Sequence, residues 1–189
     1  MRAFFADRKY VTKDLREKRL PKGDYENCVF ENCQFQEGLL DNQNFVECQF
    51  VNCDLTNTNV AHTQFNGVRF EGCKLVGVHF ETCDPLLLDF GFKGCNLTLA
   101  SFYEMDISGT HFLDCRMHKV DFTASILSKC NFAECDFKDA VFEGTHLERA
   151  NFVLAFNYTI DPNKNTVKKA RFSQEGLIGL LKKYDIVVN

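Results

Sequence analysis

Ten cysteines are the first residues in this 189-residue chain whose type could do chemistry. Cysteines form disulfides in oxidising compartments, bind metals as thiolates, or pack as small apolar residues when buried. The N-terminal sequence contains no apolar signal segment, because Asp7 follows almost at once on Met1. No apolar run approaches the roughly 20 residues of a membrane span. We therefore expect a cytoplasmic protein with reduced thiols and no membrane association.

The spacing of the cysteines favours packing over metal binding. No Cys-x-x-Cys pair, the usual unit of a zinc site, occurs in the chain. The cysteines recur at multiples of five residues, with two extra residues between Cys83 and Cys95. Such spacing predicts a file of thiols along one wall of the molecule, where they act as small hydrophobic residues. We expect no metal and no cofactor, although a minor role in metal or redox chemistry stays open.

Catalytic arrangements are also missing from the sequence. The five histidines, His62, His79, His111, His118 and His146, are dispersed, so no pair has metal-binding or triad spacing. The chain has no Gly-rich phosphate loop, no His-Glu-x-x-His and no Gly-x-Ser-x-Gly. The sequence therefore predicts a binding protein, not an enzyme, with no catalytic residues.

All of these residues follow a period of five residues along the sequence. From Tyr25 to Phe80 every fifth residue is apolar, and after a break the series resumes at Phe92. Fifteen of the 20 phenylalanines lie on these positions, which we call centres. The centres are Tyr25, Phe30, Phe35, Leu40, Phe45, Phe50, Leu55, Val60, Phe65, Phe70, Leu75 and Phe80, then Phe92, Leu97, Phe102, Ile107, Phe112, Met117, Phe122, Leu127, Phe132, Phe137, Phe142, Leu147 and Phe152.

A second register of small residues lies two positions before each centre. All ten cysteines occupy it, with alanine and threonine between them. Helices have a period of 3.6 and strands a period of 2, so a period of five requires a chain that turns a corner every five residues. Four such corners close a square coil, and stacked coils make a solenoid. The sequence predicts about 6.5 coils over residues 23–156, roughly 31 Å of rod at about 4.8 Å per coil.

The break between Phe80 and Phe92 is interpreted as two repeats plus a two-residue bulge within residues 84–91. This interpretation keeps the columns of phenylalanines and cysteines in line, whereas a seven-residue loop would scramble them. The bulge sequence, Asp84, Pro85, Leu86, Leu87, Leu88 and Asp89, is the predicted partner-binding segment, because a loop on a rigid scaffold is free to vary. Leu87 is expected to fill the missing inward position, and another of the three leucines to be exposed.

Charge is unevenly distributed along the chain. Residues 1–22 carry a net charge of +5, residues 23–152 a net charge of -12, and residues 153–189 a net charge of +3. The prediction is an acidic rod with basic ends, whose field repels nucleic acid and attracts basic clefts. Ordinary solubilising charge stays an alternative. One side of the rod is predicted to be wholly acidic, and its carboxylates are Asp41, Glu81, Glu104, Asp121 and Glu143.

The ends must differ from the repeat, because a solenoid exposes apolar coils and unpaired backbone there. Residues 1–22 are assigned to a basic cap. Residues 157–189 are assigned to a turn, a helix and a tail, with Ser173 capping a helix that runs to about Lys183. Its apolar surface would either cap the rod or form a homodimer. The predicted residues are Leu177, Ile178, Leu180, Leu181, Tyr184 and Ile186.

The repeat resembles the pentapeptide-repeat family, in which a small residue precedes Asp or Asn and then Leu or Phe. Cys95-Asn96-Leu97 and Cys135-Asp136-Phe137 match this motif directly. The resemblance implies an all-β fold, the right-handed quadrilateral β-helix. The rod, the bulge and the C-terminal segment are similar to the quinolone-resistance (Qnr) and albicidin or microcin immunity branch. Members of that branch are dimers joined at their C-terminal ends that mimic B-form DNA and bind DNA gyrase.

Two functions follow as expectations. The first is a DNA-mimicking protein that binds gyrase and modulates it or protects it from inhibitors, without binding nucleic acid itself. The second is a generic interaction or scaffold solenoid with another protein partner.

Overall fold

The chain folds as a parallel β-solenoid with four faces per turn. The computed structural model describes residues 2–16 and 19–187. Five residues of the two predicted end segments, Met1, Glu17, Lys18, Val188 and Asn189, lie outside the described residues. The predicted right-handed quadrilateral β-helix is confirmed, but it has about eight turns instead of 6.5. No described helix has the length and apolar character needed to cross a membrane.

Twelve short strands and one helix make up the regular structure of the described residues. The strands are β1 (Ala3–Ala6), β2 (Lys9–Val11), β3 (Gly23–Glu26), β4 (Val29–Glu31), β5 (Asn44–Val46), β6 (Gln49–Val51), β7 (Gln64–Asn66), β8 (Val68–Glu71), β9 (Phe90–Lys93), β10 (Phe112–Leu113), β11 (Asn151–Phe152) and β12 (Arg171–Phe172). Helix α1 (Ile178–Leu181) lies between 3-10 turns at Glu175–Leu177 and Lys182–Tyr184, and a further 3-10 turn spans Phe80–Thr82.

The strands form three parallel sheets, each running along the rod. One sheet has the order β1-β3-β5-β7, the second β10-β9-β8-β6-β4-β2, and the third joins β11 to β12. In the two longer sheets each centre before the break pairs with the centre 20 residues later, as Phe50 does with Phe70. Across the break Phe70 pairs with Phe92, so this coil holds two residues more than the one before it. The predicted two-residue bulge is therefore confirmed.

The coil count was too low because the period extends beyond both predicted ends of the rod. Phe5, Tyr10, Leu15 and Leu20 continue the five-residue series towards the N-terminus, and all four pack on the core. Strand β1 pairs with β3 and β2 pairs with β4, so this basic segment forms parallel strand pairs with the coil that follows it. At the other end β12 pairs with β11. The charged residues around the first four centres hid them from the sequence analysis.

Left-handed backbone makes the corners. The residue two positions after a centre has a φ of about +50° to +80° at nearly every corner between residues 7 and 149. Most residues avoid this conformation, and asparagine and glycine tolerate it best. The rod places Asn27, Asn32, Asn42, Gly67 and Gly72 at such positions. The need for this conformation at regular intervals explains why the turn residues repeat with the same period as the centres.

Aromatic rings form a continuous file through the core. Nine rings, from Tyr10 to Phe172, stack on one another with centroids 4.7 to 5.3 Å apart. Parallel strands are separated by about 4.8 Å, so rings on successive coils meet at a contact distance set by the backbone. Most of these rings also meet rings of neighbouring faces edge to face, as Phe92 does with Phe102. Both arrangements are favourable for aromatic pairs.

The small register supplies hydrogen-bond donors as well as small volume. The Cys73 thiol donates to the carbonyl oxygen of Phe50 at 3.2 Å, and the Thr58 hydroxyl donates to the carbonyl oxygen of Phe35 at 2.8 Å. Both acceptors belong to centres of the preceding coil. All ten cysteines are buried free thiols, which confirms their predicted packing role. Burial raises the pKa of the Cys48 thiol to about 12, so it stays protonated and able to donate.

Truncating one ring of the file should destabilise the whole solenoid. We expect Phe112→Ala to lower the free energy of unfolding by about 3 to 5 kcal/mol, because Phe112 is fully buried between Phe92 and Phe132. Phe4→Ala, at a ring that is 60% exposed, is the matched control and should cost about 0.5 kcal/mol or less. Urea unfolding followed by circular dichroism measures both. Equal losses would contradict the stacking argument.

Candidate interaction surface

Two carboxylates anchor the bulge where it leaves the regular coil and where it returns. Asp84 accepts hydrogen bonds from the Leu86 amide and the Gln64 side chain, both at 2.9 Å. These hydrogen bonds hold the pKa of Asp84 below its ordinary value. At the other end the Asp89 amide donates to Phe65, and the Asp89 carboxylate lies 3.2 Å from the Arg69 guanidinium. The bulge is therefore tied to the preceding coil at both ends.

The leucines of the bulge face solvent more than predicted. Leu87 was expected to fill the missing inward position, and this prediction is wrong, because its side chain is 70% exposed. Leu86 is 62% exposed, which confirms that another leucine would be exposed. Leu88 is half-buried against the core. Leu87 also has a φ of +56°, so a leucine occupies a conformation that leucine rarely adopts.

Phe90 fills the interior instead of a leucine. It lies in the small register, two residues before Phe92, where other coils mostly carry Cys, Ala, Thr or Val. Its ring is buried and lies 5.5 Å from the ring of Phe80 and 5.1 Å from that of Phe92. A large residue in this register thus occupies the space left by the absent centre. The sequence signal was present, since Phe90 is the only phenylalanine in the small register.

The five predicted acidic-side carboxylates differ in their surroundings. Asp41 pairs with Arg19 and Lys22. Burial opposes ionisation of Asp41, but hydrogen bonds from Asn42 and Arg19 and the charges of Arg19 and Lys22 hold its pKa below the ordinary value. Glu143 pairs with Lys164 at 3.0 Å. The basic terminal segments thus neutralise the two ends of this side.

The three carboxylates in the middle have no Lys or Arg partner among the described residues. Glu81 lies 2.9 Å from His79. Asp121 accepts the Thr123 amide, and Glu104 is exposed. Along the next corner, Asp114 and Glu134 lie one coil apart and are also exposed.

The C-terminal segment presents an apolar surface with a short helix. Ser173 accepts the Gly176 amide at 3.0 Å, in keeping with its predicted capping role, but α1 itself has only four residues between 3-10 turns. Leu180 packs on the core. Large apolar side chains remain exposed here: Leu154, Phe156, Leu177, Ile178, Tyr184, Ile186 and Val187.

Three of the five histidines, His79, His118 and His146, lie beside carboxylates. His118 lies 2.6 Å from Asp136, and His146 lies 4.0 Å from Glu148. Among the described residues no group of three or more His, Cys, Asp and Glu side chains is placed to hold a metal ion. His118 and Asp136 belong to neighbouring coils, whereas His146 and Glu148 lie two residues apart on the same coil.

A groove of about 670 Å³ runs beside the bulge. We call it the bulge groove. It lies between the bulge, the strands β8 and β9, and the coil that follows, and its lining includes Arg69, Leu88, Asp89, Gly91, Asp106 and His111. The groove leaves no signal in the sequence, because a groove between neighbouring coils depends on how far the bulge leans outwards.

Comparison with known proteins identifies the repeat. The family profile described as "Pentapeptide repeat region" matches residues 24–86 and 86–155, which is most of the chain. The protein belongs to the pentapeptide-repeat family. No curated protein matches its sequence.

Solved structures of QnrB1, a plasmid-mediated fluoroquinolone resistance protein, share the fold of this pentapeptide-repeat protein. A trypsin-treated variant of QnrB1 superposes with a TM-score of 0.65 at 15% identity, covering 99% of this chain and 100% of that one. Full-length QnrB1 gives 0.58 at 14% identity, covering 97% and 100%. At this identity the likeness shows a common architecture.

Relieving the strained leucine of the bulge should stabilise the protein. We expect Leu87→Asn to raise the free energy of unfolding by about 0.5 to 1 kcal/mol, because asparagine tolerates left-handed backbone and an exposed leucine loses little packing. Leu99→Asn is the matched control, since Leu99 is also exposed and has a φ of +61°. Urea unfolding should show the same gain for both. A loss at Leu87 alone would show that its side chain supports the fold.

Proposed function

We propose that the protein is a non-enzymatic acidic rod that binds a type II topoisomerase, DNA gyrase, in place of DNA and modulates it or protects it from inhibitors. The observation that carries the proposal is a net charge of -12 on residues 23–152, which form one continuous solenoid. Support also comes from the resemblance of the repeat to the Qnr branch and from the fold shared with QnrB1.

The charge density of the central coils, residues 23–152, approaches that of a duplex. Residues 23–152 span about 31 Å at about 4.8 Å per coil, which is one net negative charge per roughly 2.6 Å. Double-stranded DNA carries one charge per about 1.7 Å of helix axis. A cleft that is positively charged for DNA would therefore attract the rod, and the attraction would weaken with salt.

The middle of the rod is the part best suited to this contact. Basic residues of the N-terminal segment compensate the negative charge of the first coils. Lys9 pairs with Glu31 at 2.5 Å, and Arg2 pairs with Asp24 at 3.1 Å. The carboxylates of Glu104 and Asp121 have no such partner among the described residues. A carboxylate without an ion pair of its own has no cationic partner to exchange when it meets a basic cleft, so these two should contribute most to binding.

Removing the two mid-rod charges should weaken the effect on gyrase. We expect the double variant Glu104→Gln, Asp121→Asn to raise the protein concentration needed for half-maximal effect in a supercoiling assay at low salt by about tenfold, near 1.4 kcal/mol. The matched control is Glu31→Gln, Glu71→Gln, which removes two carboxylates already paired with Lys9 and Lys93. The control should change the concentration less than twofold.

Two results would overturn the proposal. One is the absence of any inhibition or protection of gyrase at micromolar protein and low salt. The other is an equal effect of both double variants, which would mean that total charge acts on the assay without a defined contact.

The exposed leucines favour a second candidate, a scaffold solenoid that binds another protein through the bulge. Leu86 and Leu87 form an apolar tip between two acids, which a solvated corner does not need. In this case, changing Leu86 and Leu87 to Asp abolishes partner binding while Glu104→Gln, Asp121→Asn leaves it intact. Gyrase binding measured with both sets of variants separates the two candidates.

We also propose that the C-terminal surface joins two copies of the protein. The supporting observation is the set of exposed apolar side chains around α1, including Ile178, Tyr184 and Phe156. We expect wild type to elute as a dimer of the 21.7 kDa chain and Ile178→Glu, Tyr184→Glu to elute as a monomer. Size-exclusion chromatography with light scattering measures this. Leu39→Glu, at an exposed residue on the rod, is the control, and a monomeric wild type would refute the interface.

A further inference from the structure

Two backbone amides next to the bulge have no hydrogen-bond partner among the described residues. In residues 96–156, all of them described, the residue before each centre donates its amide to the preceding coil, as Asn131 does to Thr110 at 3.0 Å. Asp106 and His111 are the exceptions in this row. Unpaired backbone donors are rare in folded proteins unless water or a partner satisfies them.

The bulge explains the exception at Asp106, and His111 lies on the face next to it. The sheet that begins with β1 ends at β7, and its face regains pairing only with the bridge between Asp106 and Ile126. Between these points residues 84–89 leave Asp106 without a partner on its N-terminal side, whereas His111 lies on the next face. There β9 still pairs with β10, and the Phe92 amide donates to the His111 carbonyl oxygen at 3.0 Å, so only the His111 amide is left unpaired. The result is an open β edge inside the rod, the kind of edge that accepts an added strand.

The open edge borders the bulge groove, and the groove is kept free by a glycine. Asp106 and His111 both line it. A Cβ atom at Gly91 would lie 3.3 Å from Cδ of Arg69 and 3.8 Å from the carbonyl oxygen of His111. A larger residue occupies the equivalent position on the preceding coil, where Gly91 pairs with Arg69. Gly91 therefore leaves room where its neighbour carries a side chain.

The charges around the groove are mostly compensated, with one exception. Arg69 pairs with Asp89 at 3.2 Å and Lys93 pairs with Glu71 at 2.8 Å. The exposed Asp106 carboxylate accepts only from Ser108 among the described residues, by its amide at 3.1 Å and its hydroxyl at 2.6 Å. A cationic group in the groove would therefore find a carboxylate without a cationic partner.

We propose that the bulge groove binds an extended peptide segment of a protein partner by strand addition. The peptide's carbonyl groups accept the amides of Asp106 and His111, which lie on adjacent faces, so the segment follows the corner between them. A basic side chain of the peptide pairs with Asp106, and an apolar one packs against Leu88. This binding mode goes beyond the proposed function and does not rest on gyrase being the partner.

Nuclear magnetic resonance on the full chain tests the proposal. The probe is the capped peptide acetyl-Val-Arg-Val-Thr-Val-amide, together with two versions that shift the arginine by one position. We expect saturable shifts of the Asp106 and His111 amide signals and slower hydrogen exchange at both. A peptide with glutamate in place of arginine should bind at least tenfold more weakly.

Variants separate this site from general adhesion to the rod. Gly91→Val should weaken binding at least tenfold by filling the groove, whereas Gln49→Val, in the same outward row on β6, should leave it unchanged. Asp106→Asn keeps an acceptor for Ser108 and should reduce discrimination between the arginine and glutamate peptides. It serves as the second test if Gly91→Val fails to fold.

Three results would each overturn the proposal. The amides of Asp106 and His111 stay unshifted by millimolar concentrations of all three arginine peptides. Gly91→Val, correctly folded, binds as tightly as wild type. The glutamate peptide binds as well as the arginine peptides.

Discussion

The structure depends on a match between two distances, the spacing of its coils and the spacing of the stacked rings in its core. Coils of the solenoid are held about 4.8 Å apart by their backbone hydrogen bonds, and the rings of the file from Tyr10 to Phe172 are 4.7 to 5.3 Å apart. Because rings and strands repeat at the same distance along the rod, each new coil forms its backbone hydrogen bonds and its ring contacts without strain. The thiols and hydroxyls of the small register bond to the previous coil at the same step. A residue that disturbs this step disturbs every column at once, which explains why the repeat tolerates so little variation inside and so much outside.

Much of the fold could be predicted because it repeats. A period of five with a large and a small inward residue leaves few alternatives to a square coil, and the alignment of the phenylalanine column located the two-residue bulge. The prediction failed where the repeat is hidden or broken. Phe5 and Tyr10 carry the period into the basic segment, but charged neighbours suggested a separate cap. Leu87 was placed inside because a centre was missing, whereas Phe90 had already filled that volume from the other register.

The surface was harder to predict than the core, since surface contacts join residues on different coils. Glu143 pairs with Lys164 on the following coil, and Glu71 pairs in the same way with Lys93. Counting charges along the sequence therefore overstated the acidic side, whose ends are compensated by the terminal segments. The same reasoning explains the bulge groove. It results from a ladder that the bulge interrupts, and hydrogen bonds that fail to form leave no mark in the sequence.

The buried thiols also impose a condition on how the protein is made. Ten cysteines that are inaccessible in the finished rod are all exposed in the unfolded chain, where thiolates can oxidise. Contacts in the solenoid join each coil to its immediate neighbours, so coils can close one after another as the chain emerges. Each closed coil removes its own cysteines from attack. The extent of oxidative damage then depends on whether each coil closes before its thiols are oxidised. The damage is greatest at whichever end of the rod folds last.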